Sequence, residues 1–237
     1  MSWNRRKFVG VMGFALGGLS GTGLVGAVEP VRKMVTIAGK LATVIDIHAH
    51  CVVPEVQRLL RGTKLSTVKF NSKQALGPGR VVQMDRRGID IQVLSINRFW
   101  WYKADAQLAS RIVRLHDEHL AQWCANSSNR FAALSSVALQ FPELAAQQLD
   151  YAVNKLGLKG ASIAGHMLGE PLSSSRYDPF WAKAQELDVP VFMHPTGAQN
   201  IVREGALDGP GDLNNIIGNP LETTLFLSDL IFNGTLD

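Results

Sequence analysis

His48-Ala49-His50 closes the β-branched run Thr43-Val44-Ile45-Asp46-Ile47, and its two imidazoles stand two residues apart. In a strand that spacing puts both rings on one face, so both can point at a single ion. Imidazole suits zinc and other first-row divalent metals, and a catalytic site needs about three protein ligands with one position left open. On spacing alone the pair reads equally as two polar residues capping a strand that leaves the core. His194 adds a third ring at the end of another apolar run, Val189-Pro190-Val191-Phe192-Met193. Parallel α/β folds assemble their sites at that carboxyl edge, so His48, His50 and His194 are the candidate metal ligands. His166 follows a further strand and is the candidate substrate contact; a loop histidine bonded to backbone is the alternative. Arg98, in Asn97-Arg98-Phe99-Trp100-Trp101-Tyr102, can fork onto a substrate carboxylate while the aromatics wall a pocket. The alternative there is an aromatic cluster packed between loop and helix. His116 and His119 lie along a helix and read as surface or packing residues. Cys51, next to His50, and Cys124 read as small fillers of apolar space.

These side chains need elements to carry them, and the chain supplies alternating strands and helices. Strands are expected at residues 42–47, 89–96, 131–139, 159–164 and 189–194. Helices are expected at 81–87, closed by Gly88, at 105–125, at 142–156, closed by Gly157, and at 179–187. Asn219-Pro220-Leu221-Glu222 reads as N-cap, proline at N1 and glutamate at N3 of a helix through about Phe232. Strands alternating with helices imply parallel pairing and an α/β fold. Five such units suit either an open doubly wound sheet or most of a (β/α)8 barrel, which needs about 250 residues. Residues 197–218, rich in Gly, Asn and Asp, make a connection long enough to lie over a site.

The composition narrows the classes further. With 237 residues, 46% hydrophobic and two cysteines, the chain is neither disordered nor a disulfide scaffold. Its net charge is +4, and setting aside Arg5, Arg6 and Lys7 leaves +1. A nearly neutral body offers no footprint for nucleic acid. Residues 1–27 read as an export signal: a twin arginine, no charge from Phe8 to Val28, and Val25-Gly26-Ala27 before the expected cut. The expected location is therefore periplasmic, with membrane contact only during export; an uncleaved leader anchoring the chain is the alternative. Residues 28–40 read as a linker and 41–237 as the folded domain. Gly21-Thr22-Gly23-Leu24-Val25-Gly26 has the form of a dinucleotide fingerprint but lies inside the leader, without the strand, helix and acid that motif needs.

Ile45-Asp46-Ile47-His48-Ala49-His50 and Met84-Asp85-Arg86-Arg87-Gly88-Ile89-Asp90-Ile91-Gln92-Val93-Leu94-Ser95 together resemble the amidohydrolase-related metal-dependent family. Further matches are Lys159 to His166, Val189 to Pro195 and Asn219 to Thr224, the last resembling the family's Pro-x-Glu-Thr-Thr helix start. Within the family the likeness is to amino-carboxymuconate-semialdehyde decarboxylase and related non-hydrolytic carboxy-lyases. The resemblance implies a (β/α)8 TIM barrel with one divalent metal, commonly zinc, held by His48, His50 and His194, and His166 nearer the substrate. It implies a small carboxylated substrate, decarboxylation with a metal-activated water, and a homodimer. Amide or lactone hydrolysis on the same fold is the alternative activity. The family also uses a histidine after a sixth strand and an aspartate after an eighth. Neither has a counterpart before Asp237, so the expectation is a barrel cut short after about five βα units. An inactive metal-binding fragment is then a third alternative. Thr196-Gly197 departs from the family, where the decarboxylase has a tryptophan.

Overall fold

The computed structural model describes residues 32–127, 129–199 and 201–237. The leader and its glycine motif, together with residues 28–31 of the linker, lie outside the described residues. Within the span read as linker, β1 (Thr36–Ile37) and β2 (Lys40–Leu41) pair as an antiparallel hairpin. Its turn, Ala38-Gly39, has both φ angles positive, at 49° and 75°, which matches the twist of paired strands.

Five parallel strands form the frame of the domain. They are β3 (Ile45–His50), β4 (Ile91–Ser95), β5 (Phe131–Ala133), β6 (Ala161–Ala164) and, after the short hairpin of β7 (His166–Met167) and β8 (Glu170–Pro171), β9 (Val191–His194). Between them run α1 (Gln57–Leu60), α2 (Gly79–Arg87), α3 (Ala106–Asn126), α4 (Pro142–Asn154) and α5 (Asp178–Glu186), and α6 (Asn219–Phe232) follows. β3 pairs with β4 and β4 with β5, while β6 pairs with β9, all in parallel. The two ladders meet at Ser135, whose N–H donates to Gly160 O at 2.8 Å and whose carbonyl accepts from Ser162 N at 2.9 Å. The strands therefore follow one another in chain order. A doubly wound sheet reverses that order at its switch point, so the arrangement is barrel-like. Among the described residues β3 and β9 share no ladder, and no closed barrel is found.

Local signals account for most boundaries. Asp105 caps α3 by accepting from Leu108 N–H at 2.8 Å. Gly88, at φ 72°, ends α2, with Gly88 N–H and Ile89 N–H returning to Asp85 and Met84 carbonyls. The core lies between strands and helices, where Leu94, Ile112, Leu120, Leu149, Ile163 and Phe180 are fully buried.

Three expectations need correction. The first strand runs on through His50, so both histidines belong to the strand itself. The third strand ends at Ala133 rather than Leu139: beyond it Ser135 keeps only an isolated parallel bridge to Ala161, and Ser136 N–H turns to a side chain. Ser135 Oγ donates to Asp117 Oδ2 at 2.5 Å, and Ser136 N–H donates to Asp117 Oδ1 at 3.1 Å. Finally, Asn219 does not cap the last helix. A wide helical turn over Asn214–Gly218 runs straight into α6, and Asn219 already has helical angles of −64° and −47°.

Candidate metal centre

β3 and β9 are the first and last strands of the arc, and their carboxyl ends bring three imidazoles together. His48 Nε2 and His50 Nε2 are 2.8 Å apart, and His194 Nε2 is 3.1 Å from His50 Nε2. One nitrogen from each ring lies within 4.8 Å of the others. The alternation of a strand would place residues 46, 48 and 50 on one face, and the irregularity between Asp46 and Ala49 re-aims its end. Ala49 turns into the core while His48 and His50 face the gap. Phe192, two residues before His194, packs edge-on against His48 at 5.5 Å.

The electrostatics favour unprotonated rings at His194 and His50. Burial, then the neighbouring His50 and His48, push the His194 pKa down to about 4. Burial also lowers that of His50, with His48, Arg98 and Arg80 adding to the effect. Neutral imidazoles offer lone pairs, and three lone pairs aimed into one gap suit a divalent cation with room for another ligand. Arg80 fixes the site from behind: it donates to His50 O at 2.6 Å and to Gln92 Oε1 at 3.1 Å. Gln92 in turn donates to Asp46 Oδ2 at 2.9 Å.

His166 stands at the same mouth, on β7. Its Nδ1 accepts from Gly169 N–H at 2.9 Å, so the ring proton of the neutral form sits on Nε2. That nitrogen lies 3.3 Å from Thr196 Oγ1 and 3.9 Å from Glu222 Oε1. Thr196 Oγ1 donates to Glu222 at 3.2 Å, which leaves its lone pair for His166. The ring is thus held between Gly169 and Thr196. His166 is therefore bonded to backbone through Nδ1, and its Nε2 lies beside Thr196.

Arg98 is exposed and lies close enough to His50 to disfavour its protonation. It and Phe99 are consecutive non-glycine residues with positive φ, 81° and 32°, a conformation held only by strong surroundings. The kink folds Phe99 onto Tyr102, with ring centroids 5.3 Å apart, and leaves Phe99 6.5 Å from His194. Trp101 is fully buried and donates to Val137 O at 3.0 Å. Of the aromatic run, then, Phe99 reaches the site, while Trp101 and Tyr102 are core.

His116 is fully buried against Trp100 and Trp101, with centroids at 5.7 and 5.3 Å. His119 is half-exposed, 3.8 Å from Glu55. Among the described residues the histidines that come together are His48, His50 and His194. Cys51 is buried with its thiol pushed up to about 12, and Cys124 is half-buried, so both serve packing. Glu222 is the residue that sequence reasoning placed in a different role. It is 2% exposed and binds the backbone of Thr196 and Gly197 instead of its own helix start.

A family model described as amidohydrolase matches residues 45–234. Among curated proteins, the chain is 37% identical to decarboxylase orsB of Emericella nidulans over 142 residues, covering 59% of this chain and 40% of that protein. It is 30% identical over 156 residues to 2-amino-3-carboxymuconate-6-semialdehyde decarboxylase of Dictyostelium discoideum, covering 65% of this chain and 42% of the other. Among solved structures it superposes, at TM-score 0.64 and 26% identity, on a dihydroxybenzoic acid decarboxylase from Polaromonas with bound manganese and the inhibitor 2-nitroresorcinol. That match covers 79% of this chain and 60% of the other. The chain thus spans about 40% of the length of these curated relatives.

Proposed function

Because this chain belongs to the amidohydrolase family, whose solved relatives give it a TIM-barrel-type α/β fold, we propose that it is a metal-dependent carboxy-lyase acting on a small aromatic carboxylate. The observation that carries the proposal is the convergence of His48, His50 and His194 at the ends of two strands. Decarboxylases among its relatives, including a manganese-bound one, supply the reaction class.

Decarboxylation replaces a carboxylate with a proton on the same carbon, so the site must grip the substrate and stabilise the electron pair that CO2 leaves behind. A bound divalent ion supplies Lewis-acid polarisation of a substrate oxygen. The chain's own residues bind and orient the substrate: Arg98 pairs with the carboxylate, His166 lines the mouth from β7 and Phe99 walls the ring, and the proton that takes the place of CO2 is drawn from water. Zinc is the ion that three imidazoles favour, and manganese is the ion found in the relative.

The test is to load the purified chain with zinc or manganese and incubate it with 2,6-dihydroxybenzoate. CO2 release abolished by His194→Ala supports the proposal. Turnover of an amide or lactone with no CO2 from any hydroxybenzoate replaces it with hydrolysis.

We also propose that the protein is exported, on the support of Arg5-Arg6, the uncharged stretch and Val25-Gly26-Ala27. No helix among the described residues is long and apolar enough to cross a membrane. A reporter fused after residue 35 should reach the periplasm and stop doing so when Arg5 and Arg6 are both changed to lysine.

A further inference from the structure

Glu222 is a nearly inaccessible carboxylate whose hydrogen-bond donors, Thr196 and Gly197, lie just beyond β9, with His166 Nε2 of β7 3.9 Å away. It accepts from Thr196 N–H at 2.8 Å, from Gly197 N–H at 2.6 Å and from Thr196 Oγ1 at 3.2 Å. Burying a charge costs several kcal/mol unless hydrogen bonds compensate it, and here two backbone donors and a hydroxyl do so. Gly165 makes room, since a Cβ there would sit 2.7 Å from Glu222 Oε1. The clamp closes two residues after His194, across Pro195, whose ring fixes φ and transmits any shift of the loop to the strand end. β9 needs such a clamp because, among the described residues, it is laddered only to β6, through Ala164 and His194 at its tip.

We propose that Glu222 is a positioning residue for the metal centre: by holding the Thr196–Gly197 backbone it aims the His194 imidazole at His48 and His50. This rests on the assignment of those histidines as metal ligands. The two backbone N–H groups carry the effect, and the side chains of Thr196 and His166 are accessory to it. Groups that orient metal ligands typically change metal affinity by about 10- to 100-fold when removed.

The experiment measures zinc and manganese affinity of the full chain by competition with a chromophoric chelator, and records the visible spectrum of the cobalt(II) form. Glu222→Gln should weaken binding about 10- to 100-fold and alter the cobalt spectrum. Gly165→Ala, which displaces the carboxylate from outside while keeping its charge, should reproduce the Glu222→Gln defect and serves if that variant does not fold. Thermal melting of each metal-free variant separates loss of affinity from loss of structure. Wild-type affinity in Glu222→Gln or Gly165→Ala, with binding abolished in His194→Ala, overturns this inference and leaves the metal reading standing. A wild-type chain that takes up no metal, or a His194→Ala variant that binds as well as wild type, overturns both.

Discussion

His194 Nε2 lies 3.1 Å from His50 Nε2, so a proton on either of these two rings opposes a proton on the other. For His194 burial is the larger cause of its depressed pKa of about 4, and His50 and His48 follow in that order. Removing a neighbour should therefore raise it only partway. In the metal-free chain, NMR titration should place the His194 midpoint well below the ordinary 6.5, and His48→Ala should move it upward. An unchanged midpoint in that variant would mean the rings do not sense one another. At this scale the histidines were legible because strand periodicity turns spacing into a shared face. Glu222 was not, because Asn-Pro-x-Glu satisfies a local helix-start pattern, and its true partners lie 25 and 26 residues away. A local rule had an answer ready, and tertiary bonding overrode it.

Elements show the same contrast. Helices α2, α3 and α4 lie close to their expected spans because Gly88, Asp105 and Pro142 mark their ends with backbone chemistry that needs no tertiary help. β5 stops early, with Ser136 N–H turned to the buried acid Asp117 on α3, a partner that no window of sequence around Phe131 reveals. The same helix carries a second buried polar group. Among the described residues both His116 ring nitrogens lack a hydrogen-bond partner, and burial, with a smaller effect from His119, pushes its pKa down to about 3. An unfolded chain binds a proton at this ring below about 6.5 while the native one does not, so His116 costs stability progressively as pH falls from 6.5 towards 3. Asp117, raised to about 7 by burial, has the opposite sign: the native state holds its proton longer, and stability is lost as pH rises through 7. His116→Leu removes the unpartnered nitrogens and should stabilise by about 1 kcal/mol at neutral pH. Its advantage over wild type should grow as the buffer is lowered from pH 6.5 to 4.5. A melting-temperature difference that is flat with pH would show that the ring is not held neutral.

Across the whole molecule, the strand order β3-β4-β5-β6-β9 follows chain order; alternation of apolar runs and helices anticipates the parallel pairing but suits a doubly wound sheet as well as a barrel. What alternation cannot anticipate is how the two ends of the arc relate. Ile45 and Ile47 on β3 are 52% and 59% exposed, and every residue of β9 is only partly buried. Backbone pairing between these strands is absent among the described residues, yet their carboxyl ends meet through His50 and His194. An ion bound by His48, His50 and His194 would tie the first strand to the fifth across a separation of 144 residues between His50 and His194. Such a tie exists only in the folded chain, so binding must appear as stability. At free metal about 100 times Kd the gain is about 2.7 kcal/mol. A domain of this size shifts by roughly 2–4 °C per kcal/mol, so the melting temperature should rise by about 5–11 °C. The rise should disappear with a chelator. It should be absent in His194→Ala, which leaves both ligands on β3 but cuts the link to β9. A variant that still gained the full increment would place the ion on β3 alone, and the two ends of the arc would then be joined by packing rather than by metal.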